Sequence, residues 1–275
     1  CRSEPVLPES LRSAANVRVV RASLDDVEGY AGFLGAGSLV VHMAAVTGKA
    51  DRAAYLAMNT HATGKLINAA TRAGVAGFLF VSSIAVSFRN RQGYHYADSK
   101  EKAERLLMDS TLPWCILRPT IILGEDSPIW HSFRGRAGKS LIVLPGNGRT
   151  LVQPIDVDDL ARLMLDIIGE QRFNNEVLEI GGPEALSLDA FVQRIHRACC
   201  GGQPRIVHLP LGLVLTPLRL VERVFPSLLP VSSGQFASFN NDGTVTANAL
   251  LTPANGSMRD VDEMLSRLTG SEAHG

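Results

Sequence analysis

At 275 residues the chain is long enough for one or two domains. Apolar residues make up 45% and charged residues 20%, which supplies a sizeable core and excludes wholesale disorder. Lys plus Arg and Asp plus Glu number 27 each, so the net charge is zero, and neither a nucleic-acid partner nor a polybasic membrane binder is expected. The four cysteines, Cys1, Cys115, Cys199 and Cys200, have neither zinc nor disulfide-framework spacing. That usage fits a reducing, cytoplasmic interior, and no metal site is expected. The chain opens on Cys1 without a signal-peptide pattern in its first twelve residues, and it reads as lacking its natural N-terminus.

Short apolar runs alternate with longer helical patterns over the first two thirds. Strands are expected at 17–20, 38–44, 78–82 and 114–117, the middle two as nearly continuous apolar runs of the kind covered on both faces. A helix of about twenty residues opens at Asp51, carries Tyr55, Met58, Leu66 and Ile67, and stops at Gly74. Another runs from about Tyr96 to Met108. Strand, helix, strand at this spacing predicts parallel βαβ crossovers and an α/β, doubly wound Rossmann-type sheet. Beyond Pro119 come a turn at 146–148, a helix at 156–168, a strand at 176–180, a helix capped by Ser187 and a Leu- and Pro-rich stretch at 206–231. The last helix opens on a capping box of Ser257 and Asp260 and turns Val261, Met264, Leu265 and Leu268 to one face. The expected division is a sheet domain over 1–185 and a smaller substrate domain over 186–275, interleaved with it.

Several patterns that imitate chemical motifs read better as structure. Gly32, Gly35 and Gly37 resemble a dinucleotide fingerprint but precede a strand instead of following one and opening a helix. Gly138-Lys139-Ser140 has Phe133 where a phosphate loop needs its leading glycine. The glycosylation pattern at Asn255 has nothing to indicate secretion, and Cys199 and Cys200 read as helix packing. The apolar run at 206–218 is broken by Pro210 and Pro217 and falls short of the roughly 18 residues of a transmembrane span. A buried helix or a substrate-covering lid is expected there instead. His42 reads as a packed strand residue.

Tyr96-Ala-Asp-Ser-Lys100 carries the chemistry. Four residues apart on a helix, Tyr96 and Lys100 share one face, whereas Tyr94 has Asp98 at that spacing. A phenol titrates near pH 10, and an adjacent ammonium is expected to move it toward neutrality, as proton exchange during hydride transfer at a carbinol requires. Thirteen residues before Tyr96, the strand at 78–82 runs into Ser83 at the carboxyl edge of the sheet, where a hydroxyl can hold the reacting oxygen toward the tyrosine.

With these residues in place, the sequence resembles the extended short-chain dehydrogenase/reductases, the NAD-dependent epimerase/dehydratase group, in their atypical branch. The resemblance covers nearly the whole chain. It rests on Val41-His-Met-Ala-Ala45, Met58-Asn59-Thr-His-Ala-Thr63, Phe80-Val-Ser-Ser83, Tyr96 to Lys100, Leu117-Arg-Pro-Thr120, the segment from Gly148 to Asp159, and Leu178-Glu-Ile-Gly-Gly-Pro183. It implies Tyr96 as general acid/base, Lys100 as the group that tunes it and holds the nicotinamide ribose, and Ser83 as the residue that orients the substrate oxygen. It implies cofactor contacts from Met43, Ala44, Ala45, Asn59, Val81, Pro119 and Thr120, besides Tyr96 and Lys100. Ser23 and Leu24 stand at the adenine position, where Asp-Leu is common in the family. Arg2, placed just after the second strand, suits a 2′-phosphate, so NADP is slightly preferred to NAD. The family's first strand, glycine-rich loop and first helix are expected upstream of Cys1. Lacking that phosphate cradle, the chain as given is expected to bind cofactor less well than one extended upstream.

The leading expectation is therefore an NAD(P)-dependent oxidoreductase or epimerase/dehydratase acting on a sugar-nucleotide-like or other small carbonyl or alcohol substrate. The short loop between Ser83 and Tyr96 implies a pocket unlike that of the sugar-nucleotide enzymes. Candidate anchors for a diphosphate are Arg205, His208, Arg219 and Arg223. An NADP(H)-binding accessory subunit, like the respiratory complex I member of the family, is the alternative, and a nucleotide sensor is a third. Helices flanking the tyrosine often pair in this family, so a homodimer is a further expectation.

Overall fold

The computed structural model describes residues 14–137, 141–213, 240–245 and 258–270, together with 11, 215 and 236. In chain order, β1 (Leu39–His42) leads into α1 (Arg52–Tyr55), a π-helical segment (Leu56–Ala62) and α2 (Thr63–Ala73). Asp51 caps the first of these by accepting from the Ala54 amide at 2.6 Å, and Gly74 ends the last in the left-handed conformation, φ 65°. Then follow β2 (Gly77–Val81), a 3₁₀ turn (Ile84–Ser87), α3 (His95–Met108) and β3 (Trp114–Pro119). The second half holds α4 (Pro128–Ala137), β4 (Leu141–Pro145), α5 (Val157–Gly169), β5 (Glu176–Ile180), α6 (Leu188–Cys200), β6 (Arg205–Leu209) and α7 (Val261–Gly270).

The central sheet is parallel in the order β1-β2-β3-β5, with Val40 level with Phe78, Phe78 with Trp114 and Cys115 with Glu176. Side-chain alternation divides its core between two faces. Phe78, Phe80, Trp114 and Ile116 meet Leu66, Ile67 and Ala70 of α2 and Ala103 and Leu107 of α3. Leu79, Cys115 and Leu117 meet Leu160, Leu163, Met164 and Ile167 of α5. The fold is thus the α/β, doubly wound arrangement expected from the sequence.

Two expectations about its edge are corrected. β1 is buried on the α2 face alone: Leu39 and Val41 are 36% and 37% exposed, because α5 packs over the inner strands and not over β1. Residues 17–20 form no strand, having no ladder partner among the described residues.

A third core joins Leu123, Trp130, Ile142 and Leu144 to Phe191, Val192 and Ile195 of α6 and to Val261, Met264, Leu265 and Leu268 of α7, so it draws on both sides of position 185. The start of the Leu- and Pro-rich stretch is not helical; β6 pairs in parallel with β4, and residues 216–231 lie outside the described residues. The capping box of α7 is three residues later than expected. Asp260 accepts from the Glu263 amide and Glu263 from the Asp260 amide, each at 2.9 Å, whereas Ser257 lies outside the described residues. Aspartate caps as well as serine, and the Glu three positions on completes the reciprocal pair. Segments 138–140 and 255–257 also lie outside the description.

Candidate active site

Parallel strands end on one edge, and there the carboxyl ends of β2 and β3 meet the first turn of α3. Ser82 at the end of β2 is held by its amide to the Leu117 carbonyl at 2.7 Å. Ser83 follows in extended backbone and caps the 3₁₀ turn, its Oγ accepting from the Ala85 amide at 3.2 Å. The chain then returns through a tight loop into α3, whose first turn carries Tyr96 and whose second carries Lys100. The Ser83 hydroxyl and the Tyr96 phenol line the same cavity, and the hydroxyl acts on the phenol as a polar neighbour that lowers its pKa.

Lys100 is 2% exposed. Its Nζ donates to the Val81 carbonyl at 2.7 Å and lies 4.1 Å from the centroid of the Phe80 ring. Burial lowers its pKa from 10.5 to about 7, opposed by the carboxylate of Glu104 one turn along. Burial raises the Tyr96 phenol above 10.0, opposed by the Ser83 hydroxyl. This corrects the expectation that the ammonium draws the phenol toward neutrality. The ammonium is turned to a backbone carbonyl beneath the site, and desolvation governs both groups.

A polar clamp holds α3 from behind. The Asn59 side chain in the π segment accepts from the Val46 amide at 2.7 Å and donates to the Val46 carbonyl at 3.0 Å and to Ser99 Oγ at 3.1 Å. Thr60 donates to the Ser99 carbonyl at 2.9 Å, and Ser99 Oγ donates to the Tyr96 carbonyl at 2.7 Å. Asn59 therefore ties the loop after β1 to the turn that bears the tyrosine. The Tyr55 and Tyr94 rings lie 6.0 and 5.9 Å from that of Tyr96.

A cavity of about 870 Å³ opens over this edge, and its lining includes Ser83, Tyr96, Pro119 and Thr120. Val81 and Lys100 lie just under it. Met43, 63% exposed, and the exposed Ala44 and Ala45 follow the end of β1. Thr120 is partly spent, its hydroxyl donating to the Gln153 carbonyl. Ser23 and Leu24 do not line the cavity; the Ser23 hydroxyl donates to Asp25, and the Leu24 carbonyl accepts from Tyr30 at 2.9 Å. Arg2, Arg219 and Arg223 lie outside the described residues. Arg205 and His208 are on β6, where His208 pairs with Asp189 at 2.8 Å.

Sequence reasoning missed Ser82, Tyr94 and Arg267, which also line the cavity. Ser82 Oγ is buried and has no hydrogen-bond partner among the described residues. Arg267 reaches the cavity from α7 by pairing with Asp156 at 2.8 Å and Asp158 at 2.9 Å. The dense acidic run at 156–159 was the available signal for a basic partner distant in sequence.

Solved structures with the same architecture include nucleotide-sugar epimerases and a short-chain dehydrogenase/reductase superfamily protein. A nucleoside-diphosphate-sugar epimerase from Staphylococcus aureus matches with a TM-score of 0.73 at 16% identity, over 97% of this chain and 88% of that one. UDP-glucuronic acid 4-epimerase from Bacillus cereus, in complex with NAD, matches with a TM-score of 0.66 at 17% identity, over 96% and 84%. The chain belongs to the NAD(P)H-binding family, whose model matches residues 2–171.

Among curated relatives, the chloroplast stem-loop binding protein of 41 kDa b of Arabidopsis thaliana is 29% identical over 40% of this chain and 30% of its own length. Divinyl chlorophyllide a 8-vinyl-reductase of the same plant is 26% identical over 66% and 43%. The NADH dehydrogenase 1 alpha subcomplex subunit 9 of Dictyostelium discoideum is 24% identical over 64% and 48%. In each case the match spans less than half of the relative's length. Among the described residues no helix is long and apolar enough to cross a membrane.

Proposed function

We propose that the protein is an NAD(P)-dependent oxidoreductase or epimerase/dehydratase that works by hydride transfer at a small carbonyl or alcohol, a sugar-nucleotide-like substrate among them. The observation that carries this reading is the Ser83–Tyr96 hydroxyl pair at the carboxyl edge of a parallel sheet, with Lys100 buried one turn along. The residues present suit a dinucleotide. Met43 to Ala45 are exposed as the chain leaves β1, β2 and β3 end at Val81 and Pro119, and Ser82 Oγ in the cavity wall is a buried polar atom with no partner among the described residues. The nicotinamide, when bound, supplies or accepts the hydride. Ser83 holds the reacting oxygen, and Tyr96 exchanges the proton at that atom. Burial keeps the phenol protonated at neutral pH, which suits donation to the oxygen as a carbonyl is reduced.

Lys100 fixes the floor of the site, and it would hold the ribose hydroxyls of a bound nucleotide, as the resemblance to the family implies. Arg2 favours NADP over NAD. A cofactor unit over 1–185, a substrate unit over 186–275, a reducing cytoplasmic setting and a homodimer complete the reading. For the last, α3 presents exposed Leu106 and Met108.

The similarity to the complex I subunit supports a second reading, an NADP(H)-binding accessory role without turnover. Tyr96→Phe separates the two. It removes the exchanged proton and leaves the cofactor edge in place. As an enzyme, the protein loses roughly 10²–10⁴-fold in turnover with NADPH binding unchanged. Equal turnover in variant and wild type overturns the catalytic assignment.

A further inference from the structure

One turn beyond Lys100 on α3 lies an ion pair, its carboxylate buried and its guanidinium partly exposed, that the assignment of Ser83, Tyr96 and Lys100 leaves unused. Glu104 follows Lys100 by four residues, hence one turn along α3, and is 1% exposed. Its carboxylate is forked by Arg118 of β3, with Nε to Oε1 at 3.0 Å and Nη2 to Oε2 at 2.6 Å. The other arm of the same guanidinium donates from Nη1 to Ser87 Oγ at 3.0 Å and to Glu179 of β5 at 3.2 Å, and Ser87 itself donates to Glu179. One guanidinium thus joins four elements: α3 with Tyr96 and Lys100, the 3₁₀ turn capped by Ser83, β3 leading to Pro119, and β5. Arg suits this place better than Lys, because its planar fork holds the Glu104 carboxylate through two parallel bonds while a third nitrogen reaches Ser87 and Glu179.

We propose that the Glu104–Arg118 pair is a positioning unit of the site, with Glu104 as the counter-charge of the buried Lys100 ammonium and Arg118 as the tie that locks the turn after Ser83 against α3. The assignment of the site itself rests on the reading in the preceding section.

The titratable and charged groups placed near Lys100 are Tyr96 and Glu104 on its own helix and His42 on β1, with Arg118 on β3 and Glu179 on β5 reached through Glu104. β2 offers it only the Phe80 ring and the Val81 carbonyl. Glu104 is the anion among them that acts on Lys100 directly, and its field is what opposes the burial that drives the amine toward neutrality.

The chain has five lysines, so Lys100 can be followed by NMR in protein labelled with ¹³C at lysine Cε, its signal assigned by its loss in Lys100→Met. The wild-type midpoint is expected at about 7. Glu104→Gln is expected to lower it by about one pH unit, a tenfold change in acidity, and Glu104→Asp to restore part of that. A role confined to packing would lower Tm without moving the midpoint. Should Glu104→Gln not fold, the double variant Glu104→Leu/Arg118→Met replaces the pair by apolar groups of similar size, and a smaller fall in the same direction is expected, because the Arg118 cation leaves with the carboxylate. An unchanged midpoint in a folded variant overturns the proposal. The titration needs neither cofactor nor substrate, so its failure leaves the Tyr96→Phe test of the activity intact.

Discussion

Two bases share the surroundings of one aromatic ring in this site. His42 stacks on Phe80 at 5.3 Å, and Lys100 lies 4.1 Å from the same ring's centroid. Burial first, and the neighbouring ammonium second, lower His42 from 6.5 to about 3, so it stays neutral and bonded to Thr63 at 2.9 Å. A base whose folded pKa is depressed refuses a proton that the unfolded chain accepts. Its stabilising contribution is therefore complete above about 6.5 and falls away as the pH drops toward 3. Between pH 7.5 and pH 5, His42→Gln is expected to lose about 2 kcal/mol less stability than wild type, read from urea midpoints. An equal loss would show that His42 is not a source of the acid sensitivity. Tyr96 and Lys100 were legible in the sequence because their relation is local, four residues on one helix. The direction of the ammonium was not, since its partner is the Val81 backbone carbonyl, which leaves no mark in side-chain spacing. The Glu104–Arg118 fork was hidden for the related reason that it joins a helix to a strand.

Helix ends were read well because caps are local chemistry: Asp51, Gly74, Asp156 and Ser187 all stand where the sequence places a boundary. The interior of the first long helix was not. Its middle turns widen to a π segment over Leu56–Ala62, which brings Asn59 and Thr60 inward to grip α3 and the loop after β1. Two buried polar residues inside an apolar helical pattern were the sign of it. The exposed face of β1 escaped for the opposite reason, since an apolar run does not say which of its faces finds a cover. At α7 the cap is Asp260, and the helix it starts carries Arg267 to the cavity wall. Asp260→Ala is expected to cost about 1 kcal/mol in thermal unfolding. No change in Tm would mean that the reciprocal pair with Glu263 does not hold the helix start.

Across the molecule, the parallel sheet supplies an edge on which Ser83, Tyr96, Pro119 and Thr120 converge, and the third core packs α6 and α7 beside it. The parallel architecture was legible because β2 and β3 must be apolar toward both α2–α3 and α5. Contacts that close the far side of the site were not, because they span the chain. Asn241 and Asn90 bond reciprocally at 2.6 and 3.0 Å, and the Val245 amide donates to Gln153 at 2.9 Å. These ties set segment 240–245 against the loop that leads into Tyr96 and against the strand end beside Thr120. On the proposed function, this edge would hold a nicotinamide dinucleotide beside Ser83 and Tyr96. The direct measurement is a fluorescence titration of NADPH and of NADH into the protein expressed from its complete reading frame, with Lys100→Met alongside. Saturable binding is expected, tighter for NADPH and weakened at least about tenfold in the variant, a loss of roughly 1.4 kcal/mol of binding. No saturation by either nucleotide at millimolar concentration would contradict the account.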